Sequence, residues 1–475
     1  VMNAILACVC FIIVYQGRGK DNPAGVIWEV DSKSPSAELG VHTGSEILQI
    51  GSVTNPHFNH LRTQVVYTEH GEKLKFVVKR PEDPEPLRLD VEPRLDKGAS
   101  RPVIGVGPSY SLELADRRVM GGRSQGPVIP DSPAALATAK SGATPALQFG
   151  DQIIATTDPD DPTKLTDLPR DPRNQQKDQR DFFEFDRRMI RLAGRDVTLR
   201  VLRVDGTQDE VLVKPAHHLT LGLRMQMGQV VTIRQKSPAA EAEVRIPRKE
   251  NDTAFEGDVI LKVEVVEADG KIRRYGEETP LDPERLPFQL QEWAERLRQA
   301  NVEVKKVKLY VRRHSTGRVQ FEELWLEPLT WDDGWRFDRI VPLHKGSPLA
   351  IPELGLAYQI KPVIAGVQPG PIPSDPLQPN DVIKELSVTQ LIGDRKRTST
   401  IPVDDNFAYV GYVLYQSPAP VINVTLKFER DQQPKTAVLI PVVDPTWPLA
   451  NRGWHFMRDE RRKKADNFAE AIWFG

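Results

Sequence analysis

Apolar and polar positions along this chain fall into a pattern that comes round four times. Each round opens on a β-type run and passes a Ser-Pro or a degenerate form of it. Ala-rich residues then lead to a Gly-Asp or related turn with aliphatics behind it. The first is Val26-Ile27-Trp28-Glu29-Val30, Ser34-Pro35-Ser36-Ala37, then Gly44-Ser45-Glu46-Ile47-Leu48. The second is Pro127-Val128-Ile129, Ser132-Pro133-Ala134-Ala135, then Gly150-Asp151-Gln152-Ile153-Ile154. The third is Val230-Val231-Thr232-Ile233, Ser237-Pro238-Ala239-Ala240, then Gly257-Asp258-Val259-Ile260. The fourth is Val363-Ile364-Ala365-Gly366-Val367, Pro369-Gly370-Pro371, then Pro379-Asn380-Asp381-Val382-Ile383. Ser caps a helix and Pro suits its first position, which predicts a short helix at each Ser-Pro. Gly before Asp predicts a tight turn, and the aliphatics after it a buried strand.

Longer helices follow, each with one apolar face. Phe182, Phe185, Met189 and Leu192 share a face; so do Leu286, Leu290, Trp293 and Leu297, and Phe407, Val410, Gly411 and Leu414. In the first round this helix is weaker, around Leu61 and Val65. Alternating hairpins come next, such as 197–202 with 210–213 and 307–311 with 319–321; 74–78 and 424–428 open the other two. The unit is therefore strand, short helix, strand, longer helix, hairpin. Junctions fall near 93–101, 215–218 and 329–334. Two polar stretches, 158–181 and 248–256, read as solvated loops.

Composition narrows the function. Lys plus Arg number 64 and Asp plus Glu 66, a formal charge of −2, so no whole-molecule field recruits nucleic acid. The 475 residues are 27% charged and 39% hydrophobic, as in globular proteins, and their length allows about three or four domains. The 40 prolines favour turns and short strands over long helices. Both cysteines, Cys8 and Cys10, lie in the first ten residues, so no disulfide framework or Cys-based zinc site can form in the rest.

Residues 1–15 are apolar apart from Asn3, and Gln16-Gly17-Arg18-Gly19-Lys20 follow. Fifteen helical residues span about 22 Å, short of a bilayer core of about 30 Å. The run lacks the basic flank and cleavage site of a signal peptide. It reads as the tail of a transmembrane helix, with a buried N-terminal strand or helix as the alternative.

The repeated Ser-Pro-Ala-Ala…Gly-Asp-x-Ile series resembles the PDZ domain in its bacterial, protease-associated form. The resemblance implies an α+β fold of four tandem PDZ-like domains: 24–98, 101–216 with the polar insertion 158–181, 217–331 and 332–445. Residues 1–17 would precede them as a partial transmembrane helix. PDZ domains bind an extended peptide as an added strand, and a Gly-containing loop holds its terminal carboxylate. Such loops are similar to Ile104-Gly105-Val106, Leu221-Gly222-Leu223 and Leu354-Gly355-Leu356-Ala357-Tyr358. The resemblance therefore makes Gly105, Val106, Gly222, Leu223, Gly355, Leu356, Ala357 and Tyr358 candidate peptide-binding residues; each loop also reads as a plain strand-opening turn.

The ends are similar to site-2 proteases, intramembrane zinc metalloproteases with a PDZ insert. Val1-Met2-Asn3-Ala4-Ile5-Leu6-Ala7, Tyr15 and Gly17 resemble the second membrane segment. Residues 446–475, with Arg452-Gly453-Trp454, the basic run 461–464, Trp473 and Phe474, resemble an amphipathic lead into the third, contacting the membrane over 453–475. A surface helix of mixed charge is the alternative. The resemblance implies a periplasmic region of an inner-membrane protein that filters peptide or protein substrates, with zinc in the parent enzyme and no cofactor on this chain.

The family's His-Glu-x-x-His motif is not in the sequence. His217 and His218 are adjacent and point apart, and His57 and His60 have no Glu between them. The chain alone is thus expected to be inactive. Two other classes remain: a membrane-anchored PDZ scaffold, and a soluble serine protease of the high-temperature-requirement type, whose Gly-Asn-Ser-Gly-Gly stretch is missing.

Overall fold

A computed structural model of the chain describes residues 20–95, 101–115, 126–174, 179–250, 253–314, 320–368, 377–392, 395–415 and 421–463. Within them the protein is mostly β-sheet with few helices. The helices used below are α1 (Pro35–Glu38), α2 (Phe58–Val66), α3 (Phe182–Arg191), α4 (Pro238–Glu241), α5 (Leu286–Gln299) and α6 (Ala408–Tyr415). Serine hydroxyls cap the short ones: Ser34 Oγ accepts from Ala37 N and Ser237 Oγ from Ala240 N, both at 3.2 Å. Ser132 Oγ accepts from Ala135 N at 3.3 Å, but the residues after it form turns, not the expected helix. Leu286, Leu290, Trp293 and Leu297 of α5 are all buried, as are Phe182, Phe185 and Met189 of α3.

The Gly-Asp turns have a second use. Asp151, Asp258 and Asp381 are each buried, and each meets an arginine of the hairpin that follows: Arg203, Arg313 and Arg430. Asp258 and Asp381 take two guanidinium nitrogens each, at 2.7–2.8 Å. The same carboxylates accept backbone N–H groups of Gln148, Arg245 and Gln378 at 2.8–2.9 Å. The turn is thereby fixed by a charge-assisted fork and a backbone bond together.

Nine strands carry the architecture: β1 (Lys20–Pro23), β2 (Ile27–Asp31), β3 (Val106–Pro108), β4 (Tyr110–Leu114), β5 (Leu223–Ile233), β6 (Leu349–Ile351), β7 (Leu356–Val367), β8 (Phe456–Arg458) and β9 (Glu460–Lys463). β5 and β7 run antiparallel along their whole length, from Leu223 opposite Val367 to Ile233 opposite Leu356. They form the centre of a twelve-stranded sheet that takes in both the third and fourth repeats. Neither strand folds back on itself. Between Leu223 and Ile233 there is no Asn-Gly or Asp-Gly pair to make a hairpin. Gly228 lacks a positive φ, and a Cβ there would sit 2.5 Å from Gln359 O. It is a close-approach glycine at the crossing, not a turn. The two repeats share one continuous core from Leu221 to Trp447.

The first two repeats are joined the same way, with help from the chain's far end. β2 pairs with β3, Val30 opposite Val106. β4 pairs with β8, Leu114 opposite Phe456, and β1 pairs with β9, Lys20 opposite Lys463. A second tie runs from the first repeat to residues 343–347, early in the fourth. Asp31 is buried, and its carboxylate accepts Leu343 N at 3.1 Å and Ser347 Oγ at 2.7 Å.

Several expectations change. Residues 456–458 and 460–463 are strands, not the surface helix of the alternative reading, and Trp454 is 9% exposed, its ring 5.3 Å from that of Phe185. Core packing thus takes the indole that was expected at a membrane interface. Residues 464–475, including Trp473 and Phe474, and the apolar run 1–17 lie outside the described residues. Among the described residues, no helix is long and apolar enough to cross a membrane. The stretch 158–181 is not simply a solvated loop. Leu165–Asp167 pairs with Ala155–Thr157, Leu168 is fully buried, and the buried Arg173 guanidinium holds Asp171 and Asp181. Residues 248–250 and 253–255 likewise form a strand pair.

Candidate functional site

Four glycines in the left-handed region define a recurring joint. Gly105, Gly222, Gly355 and Gly453 have φ of 76°, 69°, 72° and 99°. The carbonyl of each accepts a backbone N–H from another repeat: Asp31 at 2.8 Å, Gln368 at 2.7 Å, Arg234 at 2.8 Å and Ile129 at 2.6 Å. At three joints the serine of the Ser-Pro lies directly beneath. A Cβ on Gly105, Gly355 or Gly453 would come within 2.1–2.2 Å of Ser34, Ser237 or Ser132. Only glycine lets the loop lie this close. Each aliphatic-Gly-aliphatic loop therefore docks on a different repeat from the one it belongs to in sequence, and the strand that follows it begins paired with that same partner repeat.

The strands after these loops differ in what they leave open. Leu356, Ala357 and Tyr358 are paired on both edges. Val230, Thr232 and Ile233 occupy one side, and β6 the other, Ile351 opposite Leu356 and Leu349 opposite Tyr358. An added peptide strand has no edge there unless β6 leaves. The chain's own residues sit where a peptide would, and Gly355 N donates to Ile351 O at 3.0 Å. Leu223 is buried and pairs with Val367. Gly105 and Val106 head β3, an edge strand, but Pro108 in it has no N–H to offer.

The fourth loop, Arg452-Gly453-Trp454, was not among the sequence candidates, because its residues resembled a membrane-proximal lead. The signal that could have found it is the same step from Gly to a bulky apolar residue, Gly453-Trp454, that the other three loops show. Arg452 is fully buried. It donates to the carbonyls of Leu192, Arg195 and Val213 at 2.7–3.0 Å, closing the C-terminal end of α3. Burial brings its pKa down to about 10. β8 after this loop is the edge strand of the seven-stranded sheet. α3 lies beside it: Phe182 and Phe185 each meet the Phe456 ring edge-on at 5.6 Å.

This edge opens on a cavity of about 980 Å³, to which α3, α5 and α6 all contribute. That is the upper part of the range of small-ligand and short-peptide pockets. Its walls are aromatic, with Trp28, Phe182, Phe288, Tyr412, Trp454 and Phe456 among them. Charges line it as well. Arg339 lies over the Trp28 ring at 4.5 Å, and burial raises the pKa of nearby Asp186 against the pull of that arginine. Glu353, two residues before Gly355, is fully buried. Its Oε1 accepts from Gln291 Nε2 at 3.2 Å and its Oε2 has no partner. Burial pushes its pKa up to about 8.

Among the described residues no group of three His, Cys, Asp or Glu could hold an ion. His218 stacks on Trp447 at 4.2 Å, and His57 stacks on His60 at 3.6 Å.

No family model matches this chain, and no curated protein does. A solved structure of a PDZ domain protein from Parabacteroides distasonis ATCC 8503 aligns with 91% of this chain and 96% of its own, at 8% identity and a TM-score of 0.15. A likeness that faint carries no argument about fold or activity.

Proposed function

We propose that this chain is a PDZ-type peptide-engaging region, and that the groove between β8 and α3 is where it takes an extended segment. The observation that carries the reading is the combination at Gly453. A positive-φ glycine loop leads into a sheet-edge strand, a helix lies alongside, and the gap opens on a large aromatic-walled cavity. Strand addition takes place at a sheet edge, and main-chain bonds supply its affinity. In the finer form of the proposal, this is the periplasmic insert of a site-2-type intramembrane zinc metalloprotease, filtering what reaches the zinc of the parent enzyme. The antiparallel pairing of β1 with β9, Lys20 opposite Lys463, supports that form, because an insert between two membrane segments would bring its first and last strands together.

Fluorescent decapeptides with apolar C-termini, free or amidated, test the reading by titration into the whole chain. The free acid should bind saturably, amidation should weaken it at least tenfold, and Phe456→Ala should do the same. Equal affinity for acid and amide, or binding indifferent to Phe456, would remove the β8 groove from consideration.

A further inference from the structure

A second cleft, which shares Glu292 and Pro448 with the wall of the first cavity, lies between the strand Ile272–Tyr275, α5 and residues 445–448. Its volume is about 490 Å³. Three arginines line it, Arg273, Arg285 and Arg296, together with Tyr275, Thr279, Gln289 and Thr446. Glu267 stands behind two of them, 2.9 Å from Arg273 Nε and 3.0 Å from Arg296 Nη2. Arg285 holds Asp444 through Nη1 and Thr446 Oγ1 through Nη2, both at 2.9 Å. These contacts leave the cluster unfinished. Arg285 Nε and Gln289 Oε1 are both shielded from water without a hydrogen-bond partner. A guanidinium carries five N–H donors, so one shared carboxylate does not exhaust Arg273 and Arg296.

We infer that this cleft binds a phosphate-type oxyanion. Three planar guanidinium groups, from a strand and from the N-cap position and last turn of α5, suit an anion with several acceptor oxygens. The hydroxyls of Tyr275 and Thr279 add donors. Turning the Gln289 amide end for end presents its NH₂ in place of the unpartnered oxygen. The one carboxylate lining the cleft, Glu292, is biased toward its neutral form by burial, which reduces its repulsion of an anion. A bound anion joins the third repeat to residues 444–448. The same chemistry is offered by inorganic phosphate and by the phosphodiester headgroup of an anionic lipid.

Two arms separate those sources. The whole chain is titrated with sodium phosphate against sodium chloride of equal ionic strength, read by ³¹P line broadening and by melting temperature. In parallel, it is floated with phosphatidylglycerol or phosphatidylcholine vesicles. The control is the double variant Arg273→Gln, Arg296→Gln. Its side chains are 46% and 41% exposed in the native protein, so its melting temperature in chloride should be unchanged. Saturable phosphate binding that the variant weakens at least tenfold supports the site with a free anion. Flotation with phosphatidylglycerol alone, lost in the variant, supports it with a lipid headgroup. No preference for phosphate over chloride together with no variant-sensitive flotation, or a variant that binds as well as the parent, overturns it. The peptide reading stands or falls separately, because Phe456→Ala leaves this cleft untouched.

Discussion

At the scale of single residues, the most consequential side chain is Glu353. Among the described residues no cation pairs with it, and Asp338 and Asp333 add to the effect of burial. Its folded pKa of about 8 lies above the ordinary glutamate value of 4.5. From about pH 4.5 to 8 the unfolded chain has released this proton and the native chain keeps it. Stability therefore falls as pH rises through that window, by about 1.4 kcal/mol per unit at most, and levels off above it. Glu353→Gln keeps the shape and removes the titration. Urea midpoints at pH 5, 6.5 and 8 should fall for the parent and fall less for the variant; parallel decline in both would show that Glu353 is not the source. The buried Asp–Arg pairs are partly legible in the sequence. Gly-Asp marks the turn, but nothing local says that Arg203, Arg313 and Arg430, some fifty residues on, will come to rest on it.

Among the elements, β5 and β7 decide how repeats combine. A strand with no turn in its middle cannot pair with itself, so each half pairs with a neighbour, as in domain swapping within one chain. Gly228 marks the crossing. Gly to Ala usually helps a strand, since Gly is entropically costly there. Here the new Cβ would meet Gln359 O, with Gln359 Cβ at 2.8 Å as well. Gly228→Ala should thus destabilise by about 2 kcal/mol or more, in the range of overpacking costs. Chemical denaturation read from Trp293 and Trp331 fluorescence checks this, and a neutral or raised midpoint would mean the strands can part at that point without cost. β6 belongs to the same scale: three residues of backbone pairing deny the Leu356–Tyr358 edge to any outside strand.

Across the whole molecule, the last described residues hold the first ones. Arg452 and Trp454 complete the core of the second repeat, and β9 lies against β1. Truncation before Arg452 would expose the Leu192, Arg195 and Val213 carbonyls and leave β4 without its partner β8. Limited proteolysis of that truncation should cut first within 101–213, with the core of residues 221–447 remaining as a resistant fragment. Cleavage at equal rates across both halves would deny that the two cores are separable.

What the sequence alone determined is what local spacing can encode. Apolar periodicity marks the α3, α5 and α6 faces, Ser-Pro the caps at Ser34 and Ser237, and Gly-Asp the turns, because each depends on residues within one or two turns of chain. Partners were decided only in three dimensions. Gly105, Gly222 and Gly355 are recognisable as loop glycines, yet the repeat each docks on follows from strands too straight to turn back. The fourth loop, at Gly453, has meaning only once Arg452 has found the end of α3, some 260 residues away in the chain. A strand offers the same row of backbone donors and acceptors to any neighbour, so its register is local information and its partner is not.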